Sequence, residues 1–246
     1  AAEAYGGVRH GPVRLTAGGE SGMKHLRRDL DNLKREILAM GDMVEKAMKM
    51  SLRALVDRRQ GLAAEVTVGD RVIDLKEIEI EEECLKILAL HQPVAADLRF
   101  IIAVTKVNND LERIGDLAVN IAKRTLFLAR NEPLEMPPEF GAMVELVQSM
   151  VTRSLDALVN LDTELAREVL ADDEAVDDAN RHMYEAMQDE MMAAPDNVRR
   201  AVNSLSVSRH LERIADLATN IAEDVVFMID GEVIRHGGPP TDADSG

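Results

Sequence analysis

The chain has 246 residues, enough for one large domain or two small ones, and 46% of them are apolar while only 2% are aromatic and none is Trp. An apolar share of this size excludes a wholly disordered chain, and a core with so few rings must be assembled from Leu, Ile, Val, Ala and Met, which suits packed helices better than a sheet. The net charge of −16 argues against nucleic acid and anionic membrane surfaces, whose phosphates call for Lys and Arg, and favours cations or basic partner patches.

Cys84 is the only cysteine, so no disulfide can form within the chain, in keeping with a reducing cytoplasm. No apolar run approaches the ~18 residues a membrane helix needs. Residues 1–22 are Gly-rich, carry Arg9 and Arg14 and lack a continuous apolar segment. They read as a disordered lead-in rather than a signal peptide, with Met23 as a candidate start.

Six long helical patterns follow. The first, about Leu26–Val56, places Leu30, Leu33, Ile37, Met40, Val44, Met48, Ser51 and Leu55 at steps of three and four. A break at Arg58–Gly61 precedes the second, about Leu62–Leu90, which His91-Gln92-Pro93 ends because Pro93 pushes its predecessor out of helical geometry. The third, about Val94–Ala129, carries a seam of Phe100, Val104, Val107, Leu111, Ile114, Ala118, Ile121 and Thr125. That four–three alternation is coiled-coil-like. The run NEPLEMPP over 131–138 reads as a linker. Three helices follow at about Glu139–Asn160, Thr163–Ala193 and Asp196–Ile229, with Asp162 as candidate N-cap of the fifth. The tail from Gly237 reads as disordered.

The chain repeats itself. Leu111–Ala122 and Leu211–Ala222 agree at ten of twelve positions, differing only at Gly115/Ala215 and Val119/Thr219. Ser51-Leu-Arg-Ala-Leu matches Ser154-Leu-Asp-Ala-Leu, and Asp70 and Asp74 match Asp173 and Asp177, at an offset of 103 that falls to 100 by the third helix. The reading is all-α: two tandem pseudo-symmetric antiparallel three-helix bundles, over 23–131 and 132–236, between disordered ends at 1–22 and 237–246.

Each repeat carries a polar row: Glu112, Asp116, Asn120 and then Glu212, Asp216, Asn220. Steps of four set such residues on one side of a helix, here roughly opposite the apolar seam. The first half of that outer face is apolar (Leu98, Ile101, Ile102, Thr105) and suits contact with the other repeat or a second subunit. The second helix has its own pair, Asp70 and Asp74. Folded back across Gln92, Asp74 comes level with Glu112 and Asp70 with Asp116. Asp177 and Asp173 match Glu212 and Asp216 in the same way. Clustered carboxylates repel. Two readings stay open: a solvated acidic face, partly neutralised by Arg113 and Arg213, or a cation site of oxygen ligands. No His has Glu three residues before it, against a redox di-iron bundle, and no phosphate-binding loop, serine elbow or Cys–His pairing motif is present.

These same residues carry a resemblance. DLERIGDLAVNIAKR at 110–124, LERIADLATNIAED at 211–224 and LKILALHQPVAADLRF at 85–100 are similar to the PhoU family, regulators of bacterial phosphate uptake, over about 24–236. The resemblance implies two three-helix bundles and metal ions at E/D-x-x-x-D motifs. By position these are Glu112/Asp116 and Glu212/Asp216, with Asp70/Asp74 and Asp173/Asp177 as matching pairs and Asn120 and Asn220 beside them. The cation is open among iron, manganese, magnesium, zinc and calcium. The resemblance also implies a cytoplasmic, non-enzymatic, homodimeric adaptor between the ATPase subunit of the phosphate ABC transporter and a sensor histidine kinase, one that keeps the phosphate-starvation response off. The alternatives are a metal-dependent phosphoesterase using the same carboxylates and a metal-free helical interaction module. One departure is visible: repeat one opens on Asp110 and closes on Lys123-Arg124, where repeat two has His210 and Glu223-Asp224.

Overall fold

The computed structural model describes residues 17–231, with side chains from Met23 onward. The expected disordered tail from Gly237, and the lead-in as far as residue 16, lie outside the described residues. The described chain is helical: α1 (Ala17–Val56), α2 (Gln60–His91), α3 (Ala95–Leu128), α4 (Pro138–Asn160), α5 (Thr163–Ala171), α6 (Asp173–Ala193), a single 3₁₀ turn (Pro195–Asn197) and α7 (Val198–Asp230). Residues 17–22 extend α1 rather than belonging to the lead-in. Once a long helix is nucleated, each added residue needs only one more backbone bond.

The apolar stripes do what their spacing dictates. Leu33, Ile37, Met40, Val44 and Met48 of α1 are buried, as are Val104, Val107, Leu111, Ile114, Ala118 and Ile121 of α3. Helices α1, α2 and α3 pack mutually as the first bundle, and α7 packs on α4, α5 and α6 as the second. The turns are made by left-handed residues: Arg58 between α1 and α2, Gln92 between α2 and α3, and Leu161 between α4 and α5. Gln92 ends α2 by donating its N–H to the Leu88 carbonyl at 3.3 Å, after which Pro93 forbids continuation.

The continuous fifth helix expected over 163–193 is divided at Asp172. The start of α5 is as expected: the Asp162 carboxylate accepts from the N–H groups of Glu164 and Leu165, both at 3.1 Å. At Asp172 the N–H bonds the Val169 carbonyl at 3.2 Å, the tighter three-residue spacing. Arg153 of α4 holds its carboxylate. Asp competes with helical backbone bonds through local hydrogen bonding, so an Asp pair at 172–173 with an anchoring Arg is where a long helix gives way. The apolar pattern runs on regardless, through Ala166, Val169, Val176, Ala179, Met183 and Met187, which is why periodicity alone shows no break.

The two bundles join mainly along α3 and α7, with a smaller contact between α1 and α4. At that second contact Gly41 leaves room for Leu155, whose methyl would lie 2.9 Å from any added Cβ. Of the apolar outer face of α3, Ile101 is buried and Leu98 and Thr105 are half-buried, but Ile102 stays exposed. The inter-repeat junction therefore covers only part of it.

Candidate carboxylate site

In both repeats the polar rows show the same graded exposure. Asp70, Glu112 and Asn120 are half-buried and Asp74 and Asp116 exposed; Asp173, Glu212 and Asn220 are half-buried and Asp177 and Asp216 exposed. The rows lie along the edge of the core, where one flank of each helix meets its neighbour.

Two buried polar contacts fix the register of the facing helices. Asn108 of α3 donates to the Glu77 carbonyl of α2 at 2.9 Å. In the second repeat, Ser208 of α7 donates to the Asn180 side-chain oxygen of α6 at 2.7 Å. Asn108 and Ser208 are both buried, so losing either partner strands a polar group in the core. About two turns further along α3, α2 approaches it over Gly115, where an added Cβ would lie 3.3 Å from two methyl carbons of Ile73.

The result is electrostatic crowding across two helices. The Glu112 carboxyl is held above its usual range, first by burial, then by Asp116, Asp74 and Glu77, against a smaller opposing pull from Arg113. The Asp70 carboxyl is raised by burial, then by Asp74 and Asp116, with Lys123 opposing. In repeat two the Glu212 carboxyl is raised by burial, Asp216 and Asp177, against Arg209 and Arg213. The expected pairings by height, Asp74 with Glu112, Asp70 with Asp116 and Asp177 with Glu212, are thus within electrostatic reach. Glu77, itself raised by burial, Glu81 and Asp74, extends the α2 row by one turn in repeat one. Its counterpart in repeat two is Asn180, so the first site is the more acidic.

Asp173 is the first residue of α6, where a carboxylate is also favoured by the helix dipole. Asn220 lines a shallow hollow with Lys106, Asn109, Asp110, Glu223 and Asp224, on the α3–α7 junction. A step of four overshoots a full turn by about 40°, so eight residues after Glu212 the row has rotated toward α3.

The donor set is oxygen only, which suits hard cations. Among the described residues, no three or more His, Cys, Asp or Glu groups converge closely enough to hold a metal ion together. The arrangement fits a surface-held cation taken by one or two carboxylates and water more than an all-protein cage.

The hollow exposes a group that the sequence reading did not pick out. Asp110 is buried and its carboxyl is pushed up to about 6, first by burial and then by Asp224, with Arg113 and Lys106 opposing. Asp224 is also raised by burial, and accepts a hydrogen bond from Lys106 at 2.7 Å. At the pseudo-symmetric end, His210 is depressed by burial and then by Arg124, Arg213 and Arg209, and both its ring nitrogens are buried with no hydrogen-bond partner among the described residues. One end of the junction is therefore acidic and the other basic. The only signal in the sequence was the departure of Asp110/His210 and Arg124/Asp224 from the repeat.

Fold and site together define a duplicated helical-bundle protein whose facing helices carry acidic rows at the core's edge. The family model for the PhoU domain matches residues 37–125 and 140–225, and the chain belongs to the PhoU family. It is 37% identical over 211 residues to the phosphate-specific transport system accessory protein PhoU homolog of Aquifex aeolicus, covering 86% of this chain and 96% of that protein. It is 39% identical over 213 residues to the like-named protein of Pseudomonas aeruginosa, covering 85% and 87%. The crystal structure of PhoU from Pseudomonas aeruginosa superposes with a TM-score of 0.81 at 38% identity, covering 84% of this chain and 99% of that one. The phosphate transport system regulatory protein PhoU from Streptococcus pneumoniae gives 0.76 at 29% identity, covering 86% and 100%.

Proposed function

We propose that this chain is an accessory regulator of phosphate uptake that works by binding rather than by turnover. The observation that carries this reading is the facing of carboxylates from two helices, Asp70 and Asp74 against Glu112 and Asp116, repeated as Asp177 against Glu212. The crowding costs stability in the free chain and is relieved by a bound cation. The relatives' names, phosphate-specific transport system accessory protein PhoU homolog, support the phosphate side of this reading.

In this reading the rows carry divalent or iron cations and form a docking surface. One or two of Glu112, Asp116, Asp70 and Asp74, completed by water, would hold the cation in repeat one, and one or two of Glu212, Asp216, Asp173 and Asp177 in repeat two, with Asn120 and Asn220 flanking. The bound cation turns an acidic strip into one that accepts anionic or mixed partner surfaces. The partners are the ATPase subunit of the phosphate ABC transporter and a sensor histidine kinase, met in the cytoplasm, with the chain acting as a homodimer. No helix among the described residues is long and apolar enough to cross a membrane.

The test is a pull-down from cells grown with and without phosphate, comparing the wild-type chain with a Glu112→Ala/Asp116→Ala variant. Transporter and kinase subunits are expected with the wild type, dependent on phosphate, and depleted with the variant. Elemental analysis of gently purified protein reports the cation. Turnover of phosphoesters by the metal-loaded wild type, lost in the variant, would replace this reading with a hydrolase.

A further inference from the structure

The face of α2 turned away from the bundle is a second four–three seam. Four of its large apolar residues stand in solvent: Val68 is 81% exposed, Leu75 52%, Ile78 48% and Leu85 61%. Charged residues fill the gaps in the pattern at Arg71 and Glu82, and small ones end it at Ala64 and Ala89, all exposed. Among the described residues, Arg71 and Glu82 have no hydrogen-bond or ion-pair partner. The spacing through these positions is unbroken over 64–89, a strip about 38 Å long at 1.5 Å per residue. A solvent-facing heptad seam of this length is the pattern of a helix that pairs with another helix.

The matching face of repeat two has lost it. At an offset of 103, Val68, Leu75, Ile78 and Leu85 become Ala171, Asp178, Arg181 and Gln188. The duplication therefore does not demand an apolar face here. It exists on one repeat only, which suits a single contact per chain.

The seam also reads the same when reversed. Laid antiparallel against its own copy, it sets Leu75 on Ile78, Val68 on Leu85, Arg71 on Glu82 and Ala64 on Ala89, and the two residue numbers of every pair add to 153. Each apolar residue meets an apolar one, each charge meets its opposite, and the small residues meet at the two ends. Beside the seam, Glu65 falls opposite Lys86 of the other copy. Sliding the copies by one heptad puts Arg71 on Leu75 or Glu82 on Ile78. A parallel pairing puts Arg71 on Arg71 and Glu82 on Glu82. Only the antiparallel register satisfies the charges, and a two-fold axis generates it, as a self-complementary interface requires.

We propose that α2 is a homodimerisation surface, pairing antiparallel with α2 of a second copy through Leu75–Ile78, Val68–Leu85 and reciprocal Arg71–Glu82 contacts. A homodimer was already part of the functional reading; the face and register go beyond it and rest on α2 alone. One flank opposes the pairing. Asp74 falls opposite Glu81 of the other copy, so the acidic row borders the interface and weakens it. A single helix pair lies at the small end of specific interfaces, and such contacts are reversible.

The test uses the full chain in sedimentation velocity over roughly a hundredfold range of concentration. The wild type is expected to show a concentration-dependent monomer–dimer equilibrium. Arg71→Glu puts like charges together twice, as does Glu82→Arg, and each alone is expected to weaken dimerisation at least about tenfold. Mixing the two variants restores the opposite pairing and yields a heterodimer, and the double variant Arg71→Glu/Glu82→Arg dimerises like the wild type. Circular dichroism checks that each variant folds, which is expected because both side chains are exposed and unpaired. A monomeric wild type, a dimer insensitive to either charge reversal, or failure of the mixture to dimerise would overturn the proposal.

Discussion

Lys106 of α3 donates to the Asp224 carboxylate of α7 at 2.7 Å, tying the two repeats together beside a second buried acid, Asp110. The Lys106 side chain is 53% exposed and that of Asp224 only 9%. The lysine reaches in from solvent to compensate a carboxylate that cannot reach out. Lys106→Met leaves Asp224 and Asp110 facing each other without that cation. Allowing for solvent screening of the exposed lysine, the expected loss is about 1–2 kcal/mol in urea unfolding. An unchanged midpoint would show that water replaces the ammonium at no cost.

Asp110 sets a pH dependence of definite sign. Its carboxyl is raised from 3.8 to about 6 in the folded chain. Between those values the folded chain keeps a proton that the unfolded chain has lost, so stability from this group falls as pH rises through the window. The full penalty is present above the folded value and absent below 3.8. Asp110→Asn is therefore expected to stabilise the chain by about 1–3 kcal/mol at pH 7.5, with little effect at pH 4. Urea unfolding of both proteins at the two pH values checks this, and equal effects at both would exclude the titration.

Gly115 and Ile73 form a matched pair at the carboxylate rows. The positions equivalent to them in repeat two are Ala215 and Val176, both buried. Where one residue gains a methyl its opposite number loses one. Gly115→Ala alone gains about 1 kcal/mol of helix propensity but presses on two Ile73 carbons at 3.3 Å, and overpacking costs about 1–3 kcal/mol. A net loss is expected. Adding Ile73→Val should recover it, leaving the double variant at least as stable as the wild type. A thermal-melt double-mutant cycle with no coupling would refute the pairing.

The acidic rows give a test that separates cation binding from a plain solvated face. Glu112→Gln removes one of several mutually repelling carboxylates. The metal-free variant is expected to be slightly more stable than the wild type, by roughly 0.2–0.5 kcal/mol. The wild type should be stabilised by added Mn²⁺ or Mg²⁺ and the variant much less. Thermal shifts with and without each ion, read against Glu212→Gln, also compare the two repeats. With Glu77 adding to repeat one, the stronger response is expected there. No ion-dependent shift in either repeat would leave only a solvated face.

The sequence by itself determined most of the fold. Steps of three and four placed the buried stripes of α1, α3 and α7, and the repeat at offsets of 103 and 100 determined the pseudo-symmetric pair of bundles. Both are local properties: a helix has one period, and duplication copies it. The same logic brought Asp74 level with Glu112 and Asp177 level with Glu212, because two antiparallel helices joined by a short turn match residues by their distance from it. The break at Asp172 escaped because the apolar period runs through it, while the Arg153 contact that fixes it comes from another helix.

What only the tertiary structure decided is what meets across the junction of α3 and α7. The sequence showed Asp110 and Asp224 as two unrelated departures from the repeat, a hundred residues apart. Packing puts them side by side under Lys106, and puts His210 beside Arg124 at the opposite end. Periodicity assigns a residue to a face of its own helix. Which helix covers that face, and which charges are thereby withdrawn from water, depends on how the two bundles dock.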